Sequence, residues 1–132
     1  MKKSILIVIS LVAVFFFAGT TQISAQCSFE ARWVDTYCSC GTIVSKDLQW
    51  EVRKIDDNSL FDSGDLNITT LTSPQTIPVS ETPEIDERYE ICIKVFYYDT
   101  SIDPLCCQGD ECEPTDSALL LAGETIVEAE MY

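Results

Sequence analysis

The chain has 132 residues, 22 of them acidic and 8 basic, for a net charge of −14 at neutral pH, and it contains no histidine. A surface of that sign repels phosphate backbones and anionic bilayers, which argues against nucleic acid as a partner. Without imidazole there is no Ser-His-Asp or Cys-His catalysis, no histidine-ligated zinc and no histidine proton shuttle.

Taken in chain order, the first element is a leader. Lys2 and Lys3 form a positive start, and residues 5–18 are almost unbroken hydrocarbon. That run is shorter than the ~20 apolar residues a bilayer span needs. It has the length of a signal core and leads to the small residue Ala25. Residues 1–25 therefore read as a secretory signal of bacterial form, and residues 26–132 as a single domain. Gln26, which precedes Cys27, is not the small residue a lipoprotein signal requires. The expectation is a secreted or periplasmic protein, with no lipid anchor at Cys27 and no membrane span in the mature chain. Cleavage removes two of the basic residues and none of the 22 acidic ones, so the mature balance is 6 against 22, or −16.

Beyond the leader, the organising signal is period-two alternation of apolar and polar residues, the mark of half-buried strands. Phe29, Ala31 and Trp33 share a face over residues 28–36. Leu48, Trp50 and Val52 do so over residues 48–55. Tyr89, Ile91, Ile93, Val95 and Tyr97 do so over residues 88–98, opposite Glu90, Cys92 and Lys94. Weaker strands are predicted at residues 59–61 and 75–80, the latter placed at an edge by Pro78. A further strand, kinked at Gly123, is predicted over residues 118–131. Turns are expected at residues 56–58, 63–65, 72–74 and 82–84. About seven short strands so spaced predict an all-β fold: a small two-sheet antiparallel sandwich or a barrel.

Residues 48–55 (LQWEVRKI) resemble the third strand of an immunoglobulin or fibronectin type III module. Residues 89–95 (YEICIKV) resemble the Tyr-x-hydrophobic-x-hydrophobic strand near the end of such modules. The resemblance implies an immunoglobulin-like sandwich and no particular function, because this fold hosts many. The inter-sheet cysteine pair of antibody domains is not matched, since Cys92 falls on the charged face of its strand.

All 7 cysteines lie after the leader, in what would be an oxidising space. In an immunoglobulin-like topology the loops over residues 37–47 and 99–117 sit at one end. That arrangement implies disulfides from Cys38 and Cys40 to two of Cys106, Cys107 and Cys112. Cys27 with Cys92 is a third candidate pair, and the odd count leaves one thiol over. The alternative use of these residues is a thiolate site for zinc or copper(I).

Two acidic groups suggest calcium as a cofactor, because clustered carboxylates can supply its oxygen ligands. One is Asp56, Asp57, Asp62 and Asp65. The other is Asp99, Asp103, Asp110, Glu111, Glu113 and Asp116. Neither has EF-hand spacing, and solubilising charge explains both. Phe96 and Tyr98 fall on the outer parity of their strand, where they could present an aromatic platform to a glycan or protein partner. Asn67-Ile68-Thr69 and Asp116-Ser117-Ala118 match short glycosylation acceptors that arise often by chance. The sequence thus leads to an exported, non-enzymatic binding or structural module of unnamed partner. The second reading is a calcium- or metal-binding secreted protein, and a small carboxylate-dependent enzyme comes third.

Overall fold

The computed structural model describes residues 27–100 and 104–132; the predicted signal and Asp103 lie outside the described residues. The chain runs β1 (Cys27–Val34), β2 (Ile43–Lys54), β3 (Leu60–Asn67), β4 (Gln75–Val79), β5 (Arg88–Asp99), β6 (Leu105–Asp116), a helix α1 (Ser117–Ala122) and β7 (Thr125–Glu130). The strands form two sheets, one of order β4-β1-β7 and one of order β3-β2-β5-β6. Among the described residues the chain is all-β apart from the short helix α1.

Burial follows the alternation. Tyr89, Ile91, Ile93, Val95 and Tyr97 of β5 are each no more than 2% exposed. Each such side chain contributes roughly 1.5–3 kcal/mol by leaving water. They share one core with Leu48, Trp50 and Val52 of β2 and with Phe29, Ala31, Ile77, Val127 and Ala129 of the other sheet. Phe29 meets Trp50 edge to face, with ring centroids 5.6 Å apart. A polar thread crosses this apolar core. Trp33 Nε1 donates to the Tyr97 hydroxyl at 2.7 Å, and that hydroxyl donates to Asp35 at 3.2 Å. The Lys46 ammonium lies 4.8 Å from the centre of the Tyr97 ring and donates to the Leu71 carbonyl.

Several expectations are corrected. Residues 105–116, expected as part of a long cysteine-bearing loop, form β6, paired antiparallel with β5 from Arg88↔Asp116 to Tyr98↔Leu105. The free edge of β5 supplies the backbone partners, so the strand forms without an apolar stripe of its own. Residues 63–65, expected as a turn, lie inside β3, where Gly64 pairs with Trp50. A Cβ on Gly64 would sit 2.7 Å from the indole ring; the glycine serves close approach, not chain reversal. The C-terminal stretch is a helix and then a strand rather than one kinked strand. Asp116 caps α1 by accepting from the Leu119 N–H, and Gly123 ends it with φ 68°.

The sheets are also not wholly antiparallel, because β1 and β7 run parallel. After α1 the chain turns at Gly123, whose Cα faces the Ser28 hydroxyl near the start of β1. From there β7 runs alongside β1 in the same direction, from Phe29↔Thr125 to Val34↔Glu130. Its far end then reaches the other sheet: Tyr132 N–H donates to the Gln108 carbonyl at 2.9 Å, and Gln108 N–H donates back at 3.1 Å. Near its start, Thr125 and Thr115 hydroxyls meet at 2.6 Å. One side of the molecule is thereby stitched between sheets. On the other side the edges of β3 and β4 are linked by Asp62, which accepts from the Ser80 N–H and hydroxyl.

Candidate functional site

Six cysteines are bridged: Cys38 to Cys107, Cys40 to Cys106, and Cys92 to Cys112. The first two tie the segment before β2 to the start of β6. Their four sulfurs are therefore not thiolates, and the cluster offers no metal site in this state. The expected Cys27–Cys92 pair is corrected. Cys92 faces outward on β5, directly opposite Cys112 in the β5–β6 register. Cys27 faces the core from β1 in the other sheet, 1% exposed, and is unpaired. Its thiol donates to the carbonyls of Val79 and Glu81, and burial pushes its pKa up.

Among the described residues the acidic groups do not converge. Asp110, Glu111, Glu113 and Asp116 are strung along β6, where residues advance ~3.3 Å each, so its ends cannot share one ion. Asp116 is spent as the helix cap. Asp99 is buried at the end of β5 and accepts from the Gly41 N–H. In the other group, Asp57 is engaged by the Ser59 N–H and hydroxyl, which hold its carboxyl below the ordinary range. Asp62 is engaged by Ser80, while Asp56 lies in the β2–β3 turn and Asp65 on β3. Among the described residues, ligand atoms gather only at Glu90, Cys92 and Cys112, all within 4.8 Å of one another.

The outer face of the four-stranded sheet carries a shallow groove of about 480 Å³, lined by residues of all four strands. Gln49 and Glu51 of β2, Ser63 and Asp65 of β3, and Lys94 of β5 bring polar groups to it. The Cys92–Cys112 bridge forms part of its floor, and Trp50 and Gly64 border it where β2 and β3 pair. Gln49 is oriented by Asp47, which accepts from Gln49 Nε2 at 3.1 Å. Asp47 is itself 9% exposed, and its other oxygen has no partner among the described residues. The Lys94 ammonium makes no ion pair among them either. Lys94 also borders a second depression, of about 250 Å³, with Phe96, Gln108, Asp110 and Tyr132.

Phe96 and Tyr98 are half-buried rather than a raised platform. Sequence reading singled them out and missed Gln49, Ser63 and Lys94. The signal that could have found those three is polar residues at outer parity beside a strand glycine.

Fold and site define the class only as a disulfide-stapled, two-sheet β protein with an open groove on one sheet. Comparison with protein-family models, with curated proteins and with solved structures gives no match. No helix among the described residues is long and apolar enough to cross a membrane, and three disulfides fit an oxidising extracellular environment.

Proposed function

We propose that the chain is an exported, non-enzymatic binding module of immunoglobulin-like sandwich form, which engages a glycan or protein partner through the groove on its four-stranded sheet. The observation that carries this reading is the groove itself. It gathers an amide, a hydroxyl, carboxylates and an ammonium that has no ion pair among the described residues, on a sheet face that no other described element covers. Mixed donors and acceptors around a small apolar floor are what orient a polar ligand. Reaction chemistry has less to work with, because Ser63 has no imidazole to take its proton in a chain without histidine.

The leader and the three bridges support export. Cys27 supports a soluble rather than lipid-anchored form: a diacylglyceryl chain on its sulfur would have to leave a position that is 1% exposed. Glycan-array screening and pull-downs with the wild type and Ser63→Trp test the proposal. A partner should be held by the wild type and lost about tenfold or more when the indole fills the groove, the ~1.4 kcal/mol step of a single contact. A partner bound equally well by both proteins would overturn the assignment of the binding face.

A further inference from the structure

We propose that Glu90, Cys92 and Cys112 form a thiol-gated metal site, shut while the bridge is closed and open to one zinc ion once a dithiol reductant has opened it. The site goes beyond the binding role of the groove and does not depend on what the groove holds.

The three bridges differ in access and in what surrounds them. Cys107 is 2% exposed, and Cys38, Cys40 and Cys106 are half-buried against the core. With its partner Cys92 half-buried, Cys112 is the one exposed member of the six bridged cysteines. It lies on an open sheet face, where a thiolate can approach its sulfur; exchange requires that approach. The Cys92–Cys112 bridge spans 20 residues, against 69 and 66 for the others. It also joins two residues that the β5–β6 ladder already holds opposite one another, with pairing on both sides from Arg88↔Asp116 to Tyr97↔Cys107. Opening it leaves the strands in register and the two thiols side by side.

Those two sulfurs have a third ligand beside them. Glu90 lies two residues from Cys92 on the same face of β5, with Oε1 3.8 Å from Cys92 Sγ. All three ligand atoms fall within 4.8 Å of one another. Zinc bound by thiolates at ~2.3 Å in a tetrahedron sets its sulfurs roughly 3.8 Å apart. Rotation of the two side chains supplies that separation once the S–S bond is gone. Two sulfurs and a carboxylate leave a fourth position for water, an open rather than a closed zinc site. Glu51, the cross-strand neighbour of Cys92 on β2, and a net charge of −14 favour a cation. Lys94, next along the face, opposes it, so the ion needs both thiolates to bind.

The chemistry balances. One thiolate of the reductant attacks Cys112 Sγ, and Cys92 leaves as a thiolate and takes a proton. The reductant's second thiol attacks the mixed disulfide and releases Cys112 as a thiol, so the reductant ends as a disulfide and has supplied two electrons and two protons. Zinc then displaces the two thiol protons to solvent, and the carboxylate joins as it stands.

The test uses the purified protein with Cys27→Ser, which removes the free thiol. Limiting dithiol reductant followed by alkylation and peptide mapping should label Cys92 and Cys112 before the other four cysteines, with the circular dichroism unchanged. Native mass spectrometry of the partly reduced protein should then show one zinc per chain, and the oxidised protein none. Glu90→Gln, which leaves the bridge intact, should weaken zinc binding by about tenfold or more, the least that even a supporting residue of a metal site is worth. First labelling at Cys38, Cys40, Cys106 or Cys107, loss of fold on opening the bridge, no zinc on the reduced protein, or wild-type zinc affinity in Glu90→Gln would each overturn the proposal.

Discussion

The Tyr97 hydroxyl joins β5 to β1 and to the segment beyond it, accepting from Trp33 Nε1 and donating to Asp35. Tyr97→Phe leaves the indole N–H, in a side chain only 5% exposed, without its acceptor. Such a stranded donor costs about 1–3 kcal/mol, and chemical denaturation should register that loss with an unchanged slope. The same burial sets an alkaline limit. Burial pushes the Tyr97 phenol above its ordinary 10.0, the nearby Asp35 carboxylate adds to the rise, and the Trp33 N–H opposes it. Burial likewise raises the Cys27 thiol above 9.0. In the unfolded chain these groups lose their protons at ordinary pKa values while the folded chain still holds them. Stability is therefore intact below about pH 9 and falls as pH rises past it, through Cys27 first and the tyrosine next. Melting temperature measured across that range should decline, and Cys27→Ser should remove the earlier part of the decline. A melting temperature constant to about pH 11 would show that neither group is held neutral by the fold.

Among the elements, β5 is legible from sequence because five apolar residues recur at every second position, with Glu90 and Lys94 among the residues between them, and burial demands that face. Its neighbour β6 is not. Its inward positions include Cys107, Gly109 and Thr115, none of them an aliphatic signal, and the strand exists because β5 offers a backbone edge. Gly109 has a reason that only tertiary structure supplies: a Cβ there would lie 2.5 Å from the Glu130 carbonyl. Gly109→Ala must push β6 and β7 apart and should cost about 1–3 kcal/mol, as overpacking does. Gly41→Ala, with nothing within 4 Å of the added methyl, should leave the melting point unchanged or slightly raised. Helix α1 was hidden for a different reason. Its Ala and Leu residues suit either state, and the decisive marks are its ends, Asp116 and Gly123. Asp116→Ala should cost ~1 kcal/mol and Asp116→Asn far less, since asparagine also caps. The groove was illegible because it depends on which strands become neighbours. Gln49, Ser63 and Lys94 lie far apart in the chain and meet only through the β3-β2-β5 order.

At the scale of the whole molecule, two bridges close nearly the same loop. Cys38–Cys107 and Cys40–Cys106 span 69 and 66 residues, and either alone confines the unfolded chain to almost the same degree. In the chain-entropy account a loop of this length is worth about 4 kcal/mol. Once one bridge is in place, the second closes only a ring of about five residues, worth ~2 kcal/mol. Cys38→Ser with Cys107→Ser, or Cys40→Ser with Cys106→Ser, should therefore cost ~2 kcal/mol each, while removing both bridges should cost ~6 kcal/mol. The excess of ~2 kcal/mol over the sum is a coupling that arises in the unfolded state, with no contact between the bridges required. Denaturation of the three variants against the wild type measures it. Costs that simply add would mean that each bridge acts through its own native packing, and the stapling of the β2 and β6 segments would then be local rather than topological.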